Sequence, residues 1–173
     1  MDQQRVQDLS RSARIQEFIF VKMPHTLAGL LFLIAVGINI ANVVARYVFS
    51  APIFWAEEVL VFIVIWTVAL VMVAITFKQA HLNMDLFYVQ VQPPLKQILN
   101  GLIALTFIGC TAFTAVQSWR VVMLYARNGN VSTAAEVPMV IPHAAVLFAF
   151  SMMAVAVVLR FRQYVAGAPD KAE

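Results

Sequence analysis

The sequence predicts an all-α integral membrane protein with four transmembrane helices, cytoplasmic N- and C-termini and a short interfacial helix between spans two and three. Two observations carry this. Of 173 residues, 62% are hydrophobic and only 12% charged, with a mean hydropathy of +0.82. A soluble domain holds about 45–50% apolar and about 25% charged residues, and a globule this small cannot cover so many apolar side chains with polar surface. The balance excludes an ordinary soluble enzyme and a disordered chain. It also excludes a nucleic-acid binder, because the net charge of +3 comes from scattered basic residues and not from a patch. The second observation is where charges are missing. Thr26–Ala45, Val59–Phe77, Gln97–Trp119 and Val137–Leu159 are charge-free runs of 20, 19, 23 and 23 residues. A hydrocarbon core of roughly 30 Å needs about 20 helical residues. Backbone groups there must be satisfied internally, so each run reads as a helix. The short alternating segments of a β-barrel are not seen.

The spans fall at about 26–46, 57–78, 97–120 and 140–160, in one transmembrane domain, 26–162, between an N-tail, 1–25, and a C-tail, 163–173. The side shared by both tails and the middle loop holds nine Lys and Arg residues, against Arg46, Arg120 and Arg127 on the other. This asymmetry puts both termini in the cytoplasm.

Each element has its own signals. The N-tail mixes charge with Val6, Leu9, Ile15, Phe18 and Ile19, a weakly amphipathic pattern suited to the interface, and Pro24 is expected to end it. Span one is too long for a signal-peptide core and lacks a convincing cleavage site, so it reads as a retained span. Its Gly37, Ala41 and Ala45 recur every four residues, a small-residue stripe that admits a close helix. Asn39 and Asn42 can hydrogen-bond across such a contact. Packing within the four helices and contact with a partner both fit the stripe.

Between spans two and three, Leu82, Leu86 and Val89 share one helical face and Pro93-Pro94 stops the run, giving the interfacial helix. Asn128-Gly129-Asn130 is a turn signal. Thr133 to Glu136 has capping-box spacing, and Pro142 suits the first turn of the last span.

Glu57 and Glu58 open span two. Neighbouring helical residues point about 100° apart, so they do not share one ligand easily. One solvated and one paired with Arg46 is the structural reading; an ion pair between subunits is the functional one. Binding of an anionic substrate is disfavoured by two like charges. His81 and Asp85 are i, i+4 partners, suited to fixing the interfacial helix or to relaying a proton.

No cofactor is expected. A bis-histidine haem needs two histidines at one depth on facing helices, whereas His25, His81 and His143 sit at span ends. Soft-metal sites lack cysteines, Cys110 being alone. Trp55, Trp119 and Tyr47 read as interfacial anchors, and Trp66, deeper, as a helix-packing residue. No charge lies inside any span, where it would mark a transport path. Inverted repeats and broken helices are likewise not evident. The chain reads as a support and not as the conduit.

Arg46-Tyr47-Val48-Phe49, Phe54-Trp55-Ala56-Glu57-Glu58, Trp66 and His81-Leu82-Asn83-Met84-Asp85 together resemble a known family. It is the small, DctQ-like membrane subunit of the tripartite ATP-independent periplasmic (TRAP) transporters. Val137-Pro138-Met139-Val140-Ile141-Pro142 is a weaker match, and the resemblance covers roughly residues 26–162. The chain departs from the pattern in two places. Val68-Ala69-Leu70-Val71 stands where a glycine often follows the second-span Trp, and Ala80 precedes the His where glycine or a polar residue is common.

The resemblance implies two partners beside the lipid bilayer. One is a large membrane subunit that carries substrate and sodium sites and moves as an elevator. The other is a periplasmic substrate-binding protein that delivers an organic acid. The small subunit would brace the large one and help dock the binding protein in a bacterial inner membrane. Arg46, Glu57 and Glu58 would lie at the periplasmic end, and His81 and Asp85 at the cytoplasmic one. Three alternatives share parts of the pattern: the small subunit of a tripartite tricarboxylate transporter, the membrane anchor of a quinone-linked oxidoreductase, and a homodimeric exporter. The last would need an acidic residue inside the membrane, and Glu57 and Glu58 stand too close to the span end.

Overall fold

The structure, a computed structural model, describes residues 14–78 and 93–166. It contains α1 (Arg14–Tyr47), α2 (Ala56–Phe77), α3 (Pro93–Asn128), α4 (Val140–Leu159) and the short α5 (Phe161–Ala166). Four helices are long and apolar enough to cross a membrane. The only β feature among the described residues is an isolated bridge, Val131 to Pro138. The short interfacial helix expected between spans two and three, with His81 and Asp85, lies outside the described residues.

The helices do not close into a bundle. α1 packs on α2, α2 on α4, and α4 on α3, while among the described residues α1 and α3 make at most a marginal contact with each other. The result is an open row with α2 and α4 central and α1 and α3 at its edges. Small side chains hold the centre together. Ala145, Ala149, Met153 and Ala156 of α4 bury against Ala69, Val73 and Phe77 of α2. Lipid tails are as apolar as leucine, so membrane helices associate through close van der Waals fit, which small residues permit.

On α1, Ala28, Ala35 and Asn42 are buried at intervals of seven, with half-buried Leu31, Ile38 and Ala45 between them. This is a spacing of 3.5 that keeps one seam on its neighbour. Gly37 lies about 200° round the helix from Ala35. Gly37 and Ala41 are therefore exposed, and a Cβ on Gly37 would meet nothing within 4 Å. Among the described residues, the Gly37–Ala41–Ala45 stripe packs against nothing except at Ala45.

Pro24 does not end the N-terminal segment. Residues 14–23 run into the span as one helix, by way of a π-turn at Phe18–Lys22. Proline has no N–H and crowds the carbonyl four residues back. The widened turn answers this, with Met23 N–H bonding to Phe18 O. His25 Nδ1 and Thr26 Oγ1 donate to the carbonyls of Val21 and Lys22, at 3.0 and 2.9 Å.

At this end the Phe20 and Phe77 rings stack at 4.9 Å, and the Arg160 guanidinium lies 3.9 Å from the Phe77 centroid. Tyr164 of α5 donates to Thr76 O at 2.6 Å, and its burial pushes the phenol pKa up. α5 thereby closes the end of α2, whose last carbonyls have no partner inside the helix.

α3, at 36 residues, is about 54 Å long. Its charge-free part accounts for about 34 Å, so Arg120–Asn128 extends past the apolar layer by two to three turns. Gly129, at φ +63°, then ends the helix in the left-handed conformation that glycine adopts without strain.

Ala156, fully buried between central helices, has no room to grow. Ala156→Leu is expected to destabilise the detergent-solubilised chain by about 1–3 kcal/mol through overpacking, read as a lower thermal midpoint. Gly37→Leu should leave that midpoint unchanged.

Candidate functional site

The polar chemistry gathers where α1 ends and α2 begins. The linker 48–55 must turn there with its backbone groups at a bilayer edge. Ser50 takes a positive φ of 51°, and Ala51 N–H reaches back to Ala45 O at 3.0 Å. Asn42, only 7% exposed, accepts the Ile53 N–H at 2.9 Å. The linker is thus pinned to the seam face of α1. Asn42 was expected to bond across a helix contact; it bonds to a loop backbone instead. Asn39 is exposed and its side chain makes no hydrogen bond among the described residues.

The two glutamates do separate work. Arg46 Nη2 and Glu57 Oε1 form an exposed ion pair at 2.7 Å. Glu58 is not simply solvated. Its Oε2 accepts the N–H groups of Ala134 and Ala135 at 3.0 and 2.8 Å, and the Ser132 hydroxyl also bonds the carboxylate. Buried Ser132 accepts Val137 N–H on Oγ at 3.2 Å, and its own N–H donates to Val137 O at 2.9 Å. Met139 N–H donates to Asn130 O at 3.0 Å. The loop 129–139 is a closed structure tied to the start of α2 by one carboxylate.

This arrangement replaces the expected capping box. Glu136 has φ +52°, and α4 begins at Val140 with Met139 at its N-cap and no side-chain cap. Glu58 takes amides of the turn that Thr133 opens, and Glu136 leaves helical geometry. Pro142 stands in the first turn of α4, where its missing N–H costs nothing.

The aromatic residues divide. Trp55 is exposed at the N-cap of α2, as are Tyr47 and Trp119 on their helices. Trp66 is half-buried with its ring 6.1 Å from Phe148 of α4. The Tyr125 and His143 rings lie 4.4 Å apart, tilted by 35°, and His143 Nδ1 donates to Met139 O at 2.7 Å. This pair had no short-range sequence signal, because α3 and α4 bring it together across the loop. His25 and His143 occupy opposite ends of the row, each bonded to its own helix. Among the described residues no three His, Cys, Asp or Glu side chains converge as metal ligands.

A family model described as "Tripartite ATP-independent periplasmic transporters, DctQ component" matches residues 34–167. Among curated proteins and among solved structures, no match reaches significance.

Two substitutions separate the roles of these polar groups. Asn42→Leu should destabilise the chain by roughly 1–2 kcal/mol, read as a lower thermal midpoint, because it strands the Ile53 N–H. Glu58→Ala should speed hydrogen exchange at the Ala134 and Ala135 amides, and Glu57→Gln should leave those two amides as protected as in the parent.

Proposed function

The chain belongs to the DctQ component family of tripartite ATP-independent periplasmic transporters, and we propose that it braces the large transport subunit and carries no substrate itself. It is the small, multi-pass inner-membrane component of such a system. The observation that carries the bracing role is the open row. Its edge helices leave long apolar faces without partners among the described residues, including Leu33, Ile40, Leu102 and Phe113, all more than half exposed. The apolar cores of the spans carry no charge on which an organic anion or a cation could step.

In this reading the termini lie in the cytoplasm, and the Asn42, Arg46–Glu57 and Glu58 groups lie at the periplasmic end. The large subunit packs along α1, where Asn39 offers an amide to a neighbouring helix and Gly37 and Ala41 allow close approach. The large subunit holds the substrate and sodium sites. A periplasmic binding protein supplies an organic acid, and the rigid loop 129–139 stands where it would dock. His81 and Asp85 would fix the interfacial helix at the cytoplasmic end.

Affinity purification of the C-terminally tagged chain from its native membrane in mild detergent, followed by mass spectrometry, tests the assignment. A stoichiometric and much larger polytopic subunit is expected. A chain recovered alone or only with itself, across several detergents, would contradict it. Gly37→Leu and Asn39→Leu should each lower recovery of the large subunit several-fold while the chain itself stays folded.

A further inference from the structure

The start of α2 borders an open cavity of about 440 Å³ between α2, the end of α3 and the loop 129–139. This lies within the roughly 300–1,000 Å³ typical of small-molecule sites. Its wall has three parts. Glu58 supplies a carboxylate with no cation paired to it among the described residues, the nearby Arg46 being taken by Glu57. Asn130, Thr133 and Tyr125 supply side-chain amide and hydroxyl groups that make no hydrogen bond within the described chain. Val61 and Phe62 supply an apolar floor.

The surroundings of Val61 decide what such a cavity takes. Val61, Val64, Val68 and Met72 form an exposed apolar stripe that runs down α2 from the cavity. From 61 to 72 it covers about 16 Å, close to half of a hydrocarbon core of roughly 30 Å, which is the depth of one leaflet. A cation at the mouth, hydrogen-bond acceptors beside it and one leaflet's length of apolar chain below describe a single molecule.

We propose that this cavity is a binding site for an aminophospholipid. The primary ammonium sits on Glu58, the phosphate accepts from Asn130, Thr133 and Tyr125, and one acyl chain lies along Val61, Val64, Val68 and Met72. A carboxylate offers about four lone-pair sites. The Ala134 and Ala135 amides converge on Oε2 and the Ser132 hydroxyl takes a further site, which leaves one for an ammonium. A primary ammonium donates charge-assisted hydrogen bonds that a quaternary one cannot make, and an anionic headgroup without nitrogen is repelled. The site does not depend on which way the chain is oriented in the membrane, nor on the bracing role.

The test is native mass spectrometry of the delipidated full chain, titrated with phosphatidylethanolamine, phosphatidylcholine and phosphatidylglycerol of identical acyl chains. One phosphatidylethanolamine is expected to bind at least tenfold more tightly than phosphatidylglycerol, with phosphatidylcholine between. Glu58→Gln should weaken phosphatidylethanolamine about tenfold and abolish the preference. Val61→Trp fills the floor without touching the Glu58 bonds. It should weaken all three lipids, so the proposal stays testable if Glu58→Gln fails to fold. Equal binding of the three lipids by the parent, or a preference that survives Glu58→Gln in a folded chain, would overturn it. So would a Glu58→Gln variant that loses only the docking of a periplasmic protein, since that result assigns the carboxylate to a basic side chain.

Discussion

A backbone N–H or C=O that leaves a helix at a bilayer edge must find a partner near at hand, and the rest of this molecule depends on that constraint. Inside the spans the helices satisfy themselves. At their ends side chains do it, among them three that reach a different element. Asn42 holds the Ile53 amide, Glu58 holds the Ala134 and Ala135 amides, and Tyr164 holds the Thr76 carbonyl. Each bond joins an element to a helix that is its neighbour in space, so loop chemistry also sets helix order. Glu58 ties the α3–α4 loop to α2, and Tyr164 ties the segment after α4 to the other end of the same helix. α2 is held at both ends by the chain that flanks α4, and the two become the centre of the row.

The packing follows the same order. Between α2 and α4 the contacts are small and close, with alanines at 69, 145, 149 and 156. The edge helices bury much less of themselves. Buried residues make up 17% of the most apolar window of α1 and 11% of that of α3, against 28% and 33% for α2 and α4. A helix that exposes most of its circumference to lipid or to another subunit suits a component that acts by contact. Such edges also let the row follow a neighbour's shape while its polar ends keep their register. The projection of α3 beyond the apolar layer gives the loop 129–139 its wall and lets it reach back to Glu58.

Much of this architecture was legible in the amino-acid order, and the rest was hidden for physical reasons. Charge-free runs mark spans because a bilayer excludes charge along a contiguous stretch, which is a local property. Gly129 ends α3 and Pro142 stands in the first turn of α4 because turn and first-turn geometry are local too. The Arg46–Glu57 pair was readable across a short linker. Glu58 was not, since its partners lie 76 and 77 residues away and a capping box inside the loop looked like the nearer solution. Pro24 misled because a proline rule ignores the π-turn that accommodates it. The small-residue stripe on α1 showed that close approach is possible somewhere. Only the heptad seam through Ala28, Ala35 and Asn42 shows that the described helices pack on another face. The geometry of His81 and Asp85 falls outside the described residues.

The central claim is that the four spans stand as an open row, with α1 and α3 apart. Double electron–electron resonance between spin labels at Ala41 and Ala112, both exposed, in a Cys110→Ser background reconstituted in lipid, measures it directly. Adjacent helices lie 8–10 Å apart. A row separated by two intervening helices predicts more than about 18 Å between the α1 and α3 axes. A separation of about 10–14 Å, the side or diagonal of a closed four-helix bundle, would contradict the row and the support role built on it.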